Sequence, residues 1–310
     1  MEPIRKLAYG ALAASVAAAL GIGGAGSTPA AAGGFSYQQM APVGGIVLPG
    51  SPYRWQSFTL GRRHRVTVVE RVDREGGFVS RRWHLNGNWH LSAPAYDNTG
   101  AGLAGDESVL VLSRYDPEPR GLRLRTHLGI LDAGPHQLHG PNRLRRVSLP
   151  GDDVVYAVSP DGSTVFLAHT LNPPPREPRF TIQPYDLRND RLLPAKAISG
   201  NGEILRGVAT TRTQDASGHH VFTLYTQWSG GRRTVRQSRT YLLALDTVAP
   251  ALRRLELPRL RGWKNPLQLR LHLEAAAGRL TITTAAGRHG DRRGKVIARI
   301  PLRRLEAGPP

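Results

Sequence analysis

Three acidic positions in this chain are placed to do chemistry: Asp97, the pair Asp152-Asp153, and Glu203. Each lies just before, or within, a stretch leading into a short apolar run, and Tyr96, Tyr156, Arg206 and Arg212 lie in comparable stretches. Carboxylates that converge with one another or with an imidazole are the equipment of general acid/base catalysis. Arginine among them forks onto phosphate or carboxylate groups. Tyr96, Asp97, Asp153, Tyr156, Glu203, Arg206 and Arg212 are therefore the candidate ligand site, with turn capping as the competing role for Asp152-Asp153.

The histidines offer less. Trp83-His84-Leu85-Asn86-Gly87-Asn88-Trp89-His90, His136-Gln137-Leu138-His139 and His219-His220 stand out, but a metal site needs three or four converging ligands. Neighbours such as His219 and His220 point to opposite faces of a strand. No metal and no cofactor are expected. Asn86-Gly87 reads as a turn, which leaves Trp83 and Trp89 to pack between structural units or to cover a hairpin. The chain has no Gly-x-Ser-x-Gly elbow, no His-Glu-x-x-His, no phosphate-binding glycine loop and no EF-hand loop. With no Cys anywhere, a thiol nucleophile and a lipid-modified Cys are excluded.

The elements that must position these residues repeat. A strand following a turn recurs at Ser57, Leu110, Val165, Val221 and Leu280, 53 to 59 residues apart. A second anchor is an Asp closing an apolar strand, at Asp73, Asp132, Asp186 and Asp246, with Ile300-Pro301 at the fifth place. A third is a basic strand ending in Leu: Arg81 to Leu85, Arg145 to Leu149, Arg191 to Leu193, Arg253 to Leu257 and Arg303 to Leu305. Such a period is the signature of a solenoid, propeller or array. Each unit offers three or four short β-rich runs separated by Gly, Pro, Asp and Asn, with no helical run long enough to cover a parallel sheet. The expectation is an all-β chain, a β-propeller of about five four-stranded antiparallel blades, with six as the alternative.

The turn itself has a local logic. In Ser159-Pro160-Asp161-Gly162 the Pro fixes φ, the Asp bonds its own backbone and the Gly accepts positive φ. That phrase, followed by Val165-Phe166-Leu167-Ala168, Tyr185-Asp186-Leu187 and Leu192-Leu193-Pro194, resembles the repeat of WD-repeat-like and YVTN-type β-propellers. The wider layout, with Ala244-Leu245-Asp246-Thr247 and Leu255-Glu256-Leu257-Pro258, is similar to that of secreted propeller proteins from high-GC Gram-positive-type bacteria. The resemblance spans residues 50–306 and implies fold but no activity. It weakens at the last copy, where Glu274-Ala275-Ala276-Ala277-Gly278 replaces the turn. The Ser-Pro-Asp-Gly phrase lacks the closing Trp of the sialidase Asp-box, so a sialidase reading fails.

Arg5 and Lys6 precede an Ala/Leu/Gly-rich run, and Ala30-Ala31-Ala32 offers a cleavage site, so residues 1–32 read as a secretory signal peptide. Residues 33–50 read as a tether or ring-closing strand, and 51–306 as the propeller domain. No other segment approaches a membrane span. The mature protein is expected to be extracytoplasmic and monomeric.

Net charge is +19, from 42 basic against 23 acidic residues. Only Lys6, Lys196, Lys264 and Lys295 are lysines; the rest are Arg. A field of this size attracts polyanions. Nucleic acid is not expected as a partner, because no reading motif is present; an anionic wall polymer or a protein partner is. The sequence thus leaves two functions: a non-catalytic extracytoplasmic binding or scaffolding propeller with an Arg-rich rim, and a hydrolase, lactonase or lyase with an acid/base site in the central funnel. A funnel lined by Thr, Val and Arg favours the first, and converging Asp, Glu and His favour the second.

Overall fold

The structure, a computed structural model, describes residues 45–61, 64–114, 123–134, 144–172, 177–199, 202–229, 236–260, 266–285 and 294–306. The signal segment 1–32, the tether as far as residue 44, and His136 and His139 lie outside the described residues.

Five antiparallel sheets follow one another along the chain, each a simple up-and-down meander. Blade one comprises β1 (Tyr53–Leu60), β2 (Val66–Asp73) and β3 (Val79–Asn86). Ile46 bridges Trp55 on the free edge of β1, so the described end of the 33–50 segment takes the inner place of this first blade. Blade two holds β4 (Trp89–Leu91), β5 (Val109–Arg114), β6 (Arg125–Asp132) and β7 (Leu144–Pro150). Blade three holds β8 (Asp153–Val158), β9 (Thr164–Thr170) and β10 (Arg179–Asp186). Its outer place is split: β11 (Arg191–Leu192) pairs with the end of β10, and β12 (Leu205–Arg206) pairs with its start. The excursion between them carries the short helix α1 (Lys196–Ser199). Blade four is β13 (Val208–Gln214), β14 (His220–Ser229), β15 (Arg236–Asp246) and β16 (Ala251–Glu256). Blade five is β17 (Leu269–Glu274), β18 (Arg279–Thr284) and β19 (Val296–Pro301), followed by α2 (Arg303–Glu306). The fold is a five-bladed β-propeller.

The repeat is written in turn chemistry. The Asp that closes each third strand accepts backbone amides just beyond it: Asp73 from Glu75 and Gly76, Asp186 from Arg188 and Asn189, Asp246 from Val248 and Ala249. Each carboxylate thereby satisfies donors that the turn leaves unpaired. The turn between the first and second strands is held by one backbone bond in three blades: Ala104 N to Val109 O, Ser159 N to Thr164 O and Asp215 N to His220 O. The divergent copy Glu274 to Gly278 still closes its hairpin. A single 3₁₀ turn at Ala275–Ala277 does so, with Gly278 at φ 57°. One basic copy departs from expectation: Arg303 to Leu305 forms a helical turn, not a strand. Helical spacing puts Leu302 and Leu305 on one side, and both join the apolar cluster between blades four and five.

Four such clusters hold the blades together, each spanning two consecutive sheets. Trp55, Trp83 and Trp89 lead the one between blades one and two, with Trp55 stacked on Trp83 at 5.3 Å. The Asn86-Gly87 turn delivers Trp89 there, with Gly87 at φ 119°. Val111, Leu128, Val165 and Leu167 fill the second junction, and Tyr156, Phe180, Tyr225 and Tyr241 the third.

Arginine from the outer strands reinforces three of these junctions. Arg81 on β3 donates to the carbonyls of Ala133 and Gly134 in blade two. Arg145 on β7 faces Asp190 of blade three at 3.9 Å, and Arg253 on β16 donates to Leu305 O of blade five at 3.0 Å. The first Arg of the basic repeat thus reaches forward to the next blade.

On one face the turns of opposite blades meet. A Cβ built on Gly105 of blade two falls 1.9 Å from the carbonyl oxygen of Ser217 in blade four. Backbone faces backbone there, so no side-chain movement relieves a larger residue. Gly105→Ala is expected to lower stability by about 3 kcal/mol, the upper end for overpacking, read as a fall in the urea midpoint with an unchanged m-value.

Candidate functional site

The centre of the propeller is built around an interruption in its own inner strand. In blade two, Leu91 pairs with Leu112 and Leu103 bridges Leu110, so the strand continues in register. Between them residues 93–100 leave as a loop whose neck is the Ser92–Ala101 bridge. The loop crosses to blade four, where the amides of Tyr96 and Asp97 donate to the carbonyls of Ala209 and Thr210 at 2.9 and 3.1 Å. Its tip is shaped by Asp97, whose Oδ1 accepts the amide and hydroxyl of Thr99, and by Asn98 at φ 61°.

Arg212, on β13, fastens the loop from below. The residue is 3% exposed. One of its nitrogens donates to Gly100 O, at the end of the loop, and another to Tyr156 O in blade three at 3.0 Å. The guanidinium also lies 6.0 Å from the centre of the Tyr156 ring. Tyr156 is itself buried, and its hydroxyl donates to Thr223 Oγ1 at 2.7 Å. Burial holds Arg212 below its usual value, opposed by Tyr156 and Asp97. Burial also pushes the Tyr156 phenol up, opposed by Thr223 and Arg212. No carboxylate comes within 4.0 Å of Arg212 among the described residues, so two carbonyl oxygens meet its terminal nitrogens, while its buried Nε has no hydrogen-bond partner. Bulges in the inner strands of blades three and four, at Tyr156 and Thr210, aim these residues inward.

Four of the seven sequence candidates, Tyr96, Asp97, Tyr156 and Arg212, therefore come together on the axis. Their polar groups are spent largely on holding the chain across it; the Tyr96 side chain, 48% exposed, is the most open of them. The other three stand elsewhere. Glu203 reaches Arg254 on the outer strand of blade four at 3.3 Å, and Arg254 lies over the Tyr241 ring at 4.1 Å. Arg206 sits on β12, the outer edge of blade three, and its carbonyl accepts the Tyr241 hydroxyl. The excursion carrying α1 moves both away from the axis.

Asp153 begins β8 and is fully buried. Its Oδ1 is 2.9 Å from His169 Nδ1 on the neighbouring strand. Arg123 holds Asp152 Oδ1 through Nε at 2.6 Å and the Asp153 carbonyl at 2.7 Å. The Asp153 hydrogen bond raises the His169 pKa against the opposing effect of burial. His90, on the adjacent β4, is lowered to about 4 by burial and then by the charge of Arg123. Sequence reasoning missed Arg123 and His169. Both lie on the far side of a loop from Asp153, and only the β8–β9 register, Asp153 opposite His169, brings the imidazole in.

No protein-family model matches the chain, and no curated protein matches it. Among solved structures it is similar to apo AztD from Citrobacter koseri, at 12% identity and a TM-score of 0.34 over 74% of this chain and 53% of that one. It is also similar to TolB from Acinetobacter baumannii, at 14% and 0.32 over 79% and 54%. A third is the β-propeller domain of the Trilobed protease from Pyrococcus furiosus, at 7% and 0.34 over 76% of each chain. The chain spans about half the length of the first two.

Two predictions follow from this geometry. Arg212→Met removes the donors to Gly100 and Tyr156 and leaves buried carbonyls unsatisfied, at about 1–3 kcal/mol each. Thermal unfolding should fall accordingly, and a protease should cut within residues 93–100 sooner than in the wild type. For pH, His90 is depressed in the fold to about 4 from an unfolded value near 6.5. Its contribution is present above pH ~6.5 and is lost as pH falls from there to about 4, a change of about 3 kcal/mol. His169 has the opposite sign: its contribution is present below pH ~6.5 and fades as pH rises through its elevated folded value. His90→Gln should flatten the acid limb of the stability–pH curve measured by urea titration.

Proposed function

We propose that this protein is an extracytoplasmic β-propeller that binds and does not catalyse, meeting an anionic wall polymer or a protein partner through the Arg-rich edge of its blades. The observation that supports this reading is the occupied axis. The funnel position where an acid/base site would stand holds a main-chain loop tied down by Arg212, and its surroundings are Thr210, Thr223, Tyr156 and Arg212. Asp97 is committed to its own turn and Glu203 to an outer arginine. Among the described residues no cluster of three His, Asp or Glu is arranged to hold a metal ion.

The outer edge supplies the binding surface in this reading. Arg82, Arg146, Arg191, Arg303 and Arg304 are exposed there, on blades one, two, three and five, in a chain of net charge +19. Export rests on the sequence signal at residues 1–32; no described helix is long and apolar enough to cross a membrane. The acid/base alternative draws on the pair of Asp153 and His169, which is hydrogen-bonded and tilted toward the imidazolium.

Binding of residues 33–310 to a purified anionic wall polymer and to a neutral glycan, across a salt series, tests the proposal. Binding to the polyanion alone, weakening steeply between about 0.05 and 0.5 M salt as the Debye length shrinks, is expected. Serine at Arg146, Arg191 and Arg304 together should weaken it further. Absent or salt-insensitive binding to both polymers would contradict it.

A further inference from the structure

Between blades four and five a cleft of about 260 Å³ opens beside the turn joining β13 to β14. Its walls are apolar, from Phe222, Ala244, Leu273 and Leu302, and its polar side is His220 flanked by Asp215 and Asp246. His220 Nδ1 is 3.0 Å from Asp215 Oδ2, and the same oxygen accepts the His220 amide at 3.0 Å. The imidazole lies nearly parallel to the Phe222 ring, 13° apart with centres 6.2 Å apart. Asp246 Oδ1 is taken by the Val248 and Ala249 amides, which leaves Oδ2 turned toward His220 Nε2 at 3.9 Å.

Blades two and three close the same turn without this constellation. The turn-closing backbone bond joins Asp215 to His220 here, Ala104 to Val109 in blade two and Ser159 to Thr164 in blade three. Those pairs keep the turn without an imidazole or a carboxylate, so turn formation does not require Asp215 or His220. The junction of blades two and three has the corresponding cleft, with Asp132 and Arg145 where blade four has Asp246 and Arg253. There the walls carry Val109 in place of His220. Ile130, opposite Arg145, stands where Ala244 stands opposite Arg253. Two changes therefore coincide in blade four: an acceptor cluster appears, and the wall beside it loses a bulky side chain.

We infer that this cleft binds a small organic ammonium: a primary amine, protonated, on a compact apolar body. When Nδ1 donates its proton to Asp215, Nε2 is an acceptor, and with Asp246 Oδ2 it forms two acceptors 3.9 Å apart. One ammonium nitrogen about 2.8 Å from each completes a triangle on that base, the length of a charge-assisted hydrogen bond. Asp215 and Asp246 supply the opposing charge in a protein that is otherwise strongly basic, and the apolar walls take the body. Arg253 lines the same cleft and donates to Leu305 O, closing its far side. The volume lies just under the range of roughly 300–1,000 Å³ typical of ligand pockets, which calls for a small occupant. This inference is independent of the rim proposed above.

Benzylammonium is a suitable probe, with benzyl alcohol as its neutral counterpart and benzoate as its anionic one. In NMR titrations of the whole protein, benzylammonium should shift the His220 ring resonances saturably, and the other two should not. The double variant Asp215→Ser with His220→Thr, which installs the pair of blade three, should keep the fold and bind at least about tenfold more weakly. Ala244→Ile, which adds bulk to the apolar wall of the cleft and leaves every charge in place, should do the same, read by calorimetry. Absence of saturable binding, equal binding of benzyl alcohol, preference for benzoate, or binding indifferent to both variants would overturn the inference. So would saturable Zn²⁺ binding at His220 that excludes benzylammonium, since the cluster would then be a metal site.

Discussion

The guanidinium of Arg212 is buried, and the way its terminal nitrogens are met decides what the centre of this propeller is. A buried charge is tolerated only when polar partners replace its hydration. Here the partners are the Gly100 carbonyl of blade two and the Tyr156 carbonyl of blade three, around a side chain rooted in blade four. One residue therefore requires three blades to keep fixed distances. The loop 93–100 is drawn across the axis as a consequence, with Tyr96 and Asp97 adding two backbone bonds to β13. Below it, Gly105 against Ser217 brings the turns of the same two blades into contact. Neither arrangement tolerates a wide funnel.

That centre explains why the apolar junctions suffice for the rest. Among the described residues, four apolar clusters join the five blades in sequence. A chain joined only edge to edge would be free to open like a fan. The link from blade two to blade four, passing over blade three, removes that freedom by polar contacts at the hub. At the periphery, Arg81, Arg145 and Arg253 each hold a carbonyl or a carboxylate of the following blade. Part of the arginine excess is thus structural, Arg146 included, which donates to Asn86 O of the preceding blade at 3.4 Å, while Arg191 and Arg304 face solvent and add to the charge of the edge.

The sequence made the architecture readable because its signals are local. An Asp that accepts the amides two and three residues ahead, as Asp186 and Asp246 do, leaves the same trace in every copy. The Asn86-Gly87 turn left Trp83 and Trp89 either to a blade junction or over a hairpin, and both lie in the junction. The candidate site was readable only in part. Ala93 to Gly100 is made of ordinary turn residues, and nothing nearby states that its partners, Ala209 and Thr210, stand more than 100 residues away. Glu203 and Arg206 precede an inner strand in sequence, as expected of axial residues. The excursion at α1 splits the outer strand of blade three and carries them to the edge. The pair Asp215 and His220 was hidden for the opposite reason: it occupies a turn so regular that its chemistry shows only beside Ala104 and Val109, or Ser159 and Thr164.

Hydrogen exchange of the Tyr96 and Asp97 amides in the unmodified protein tests the occupied axis most directly. Both are loop residues by position, yet they donate to β13 at the hub. If Arg212 and these bonds fix the centre, the two amides exchange as slowly as those of β13 and β14, opening only with larger units of the fold. Exchange at the rate of an exposed loop would show that residues 93–100 leave the axis freely, and the funnel would again be open to a ligand.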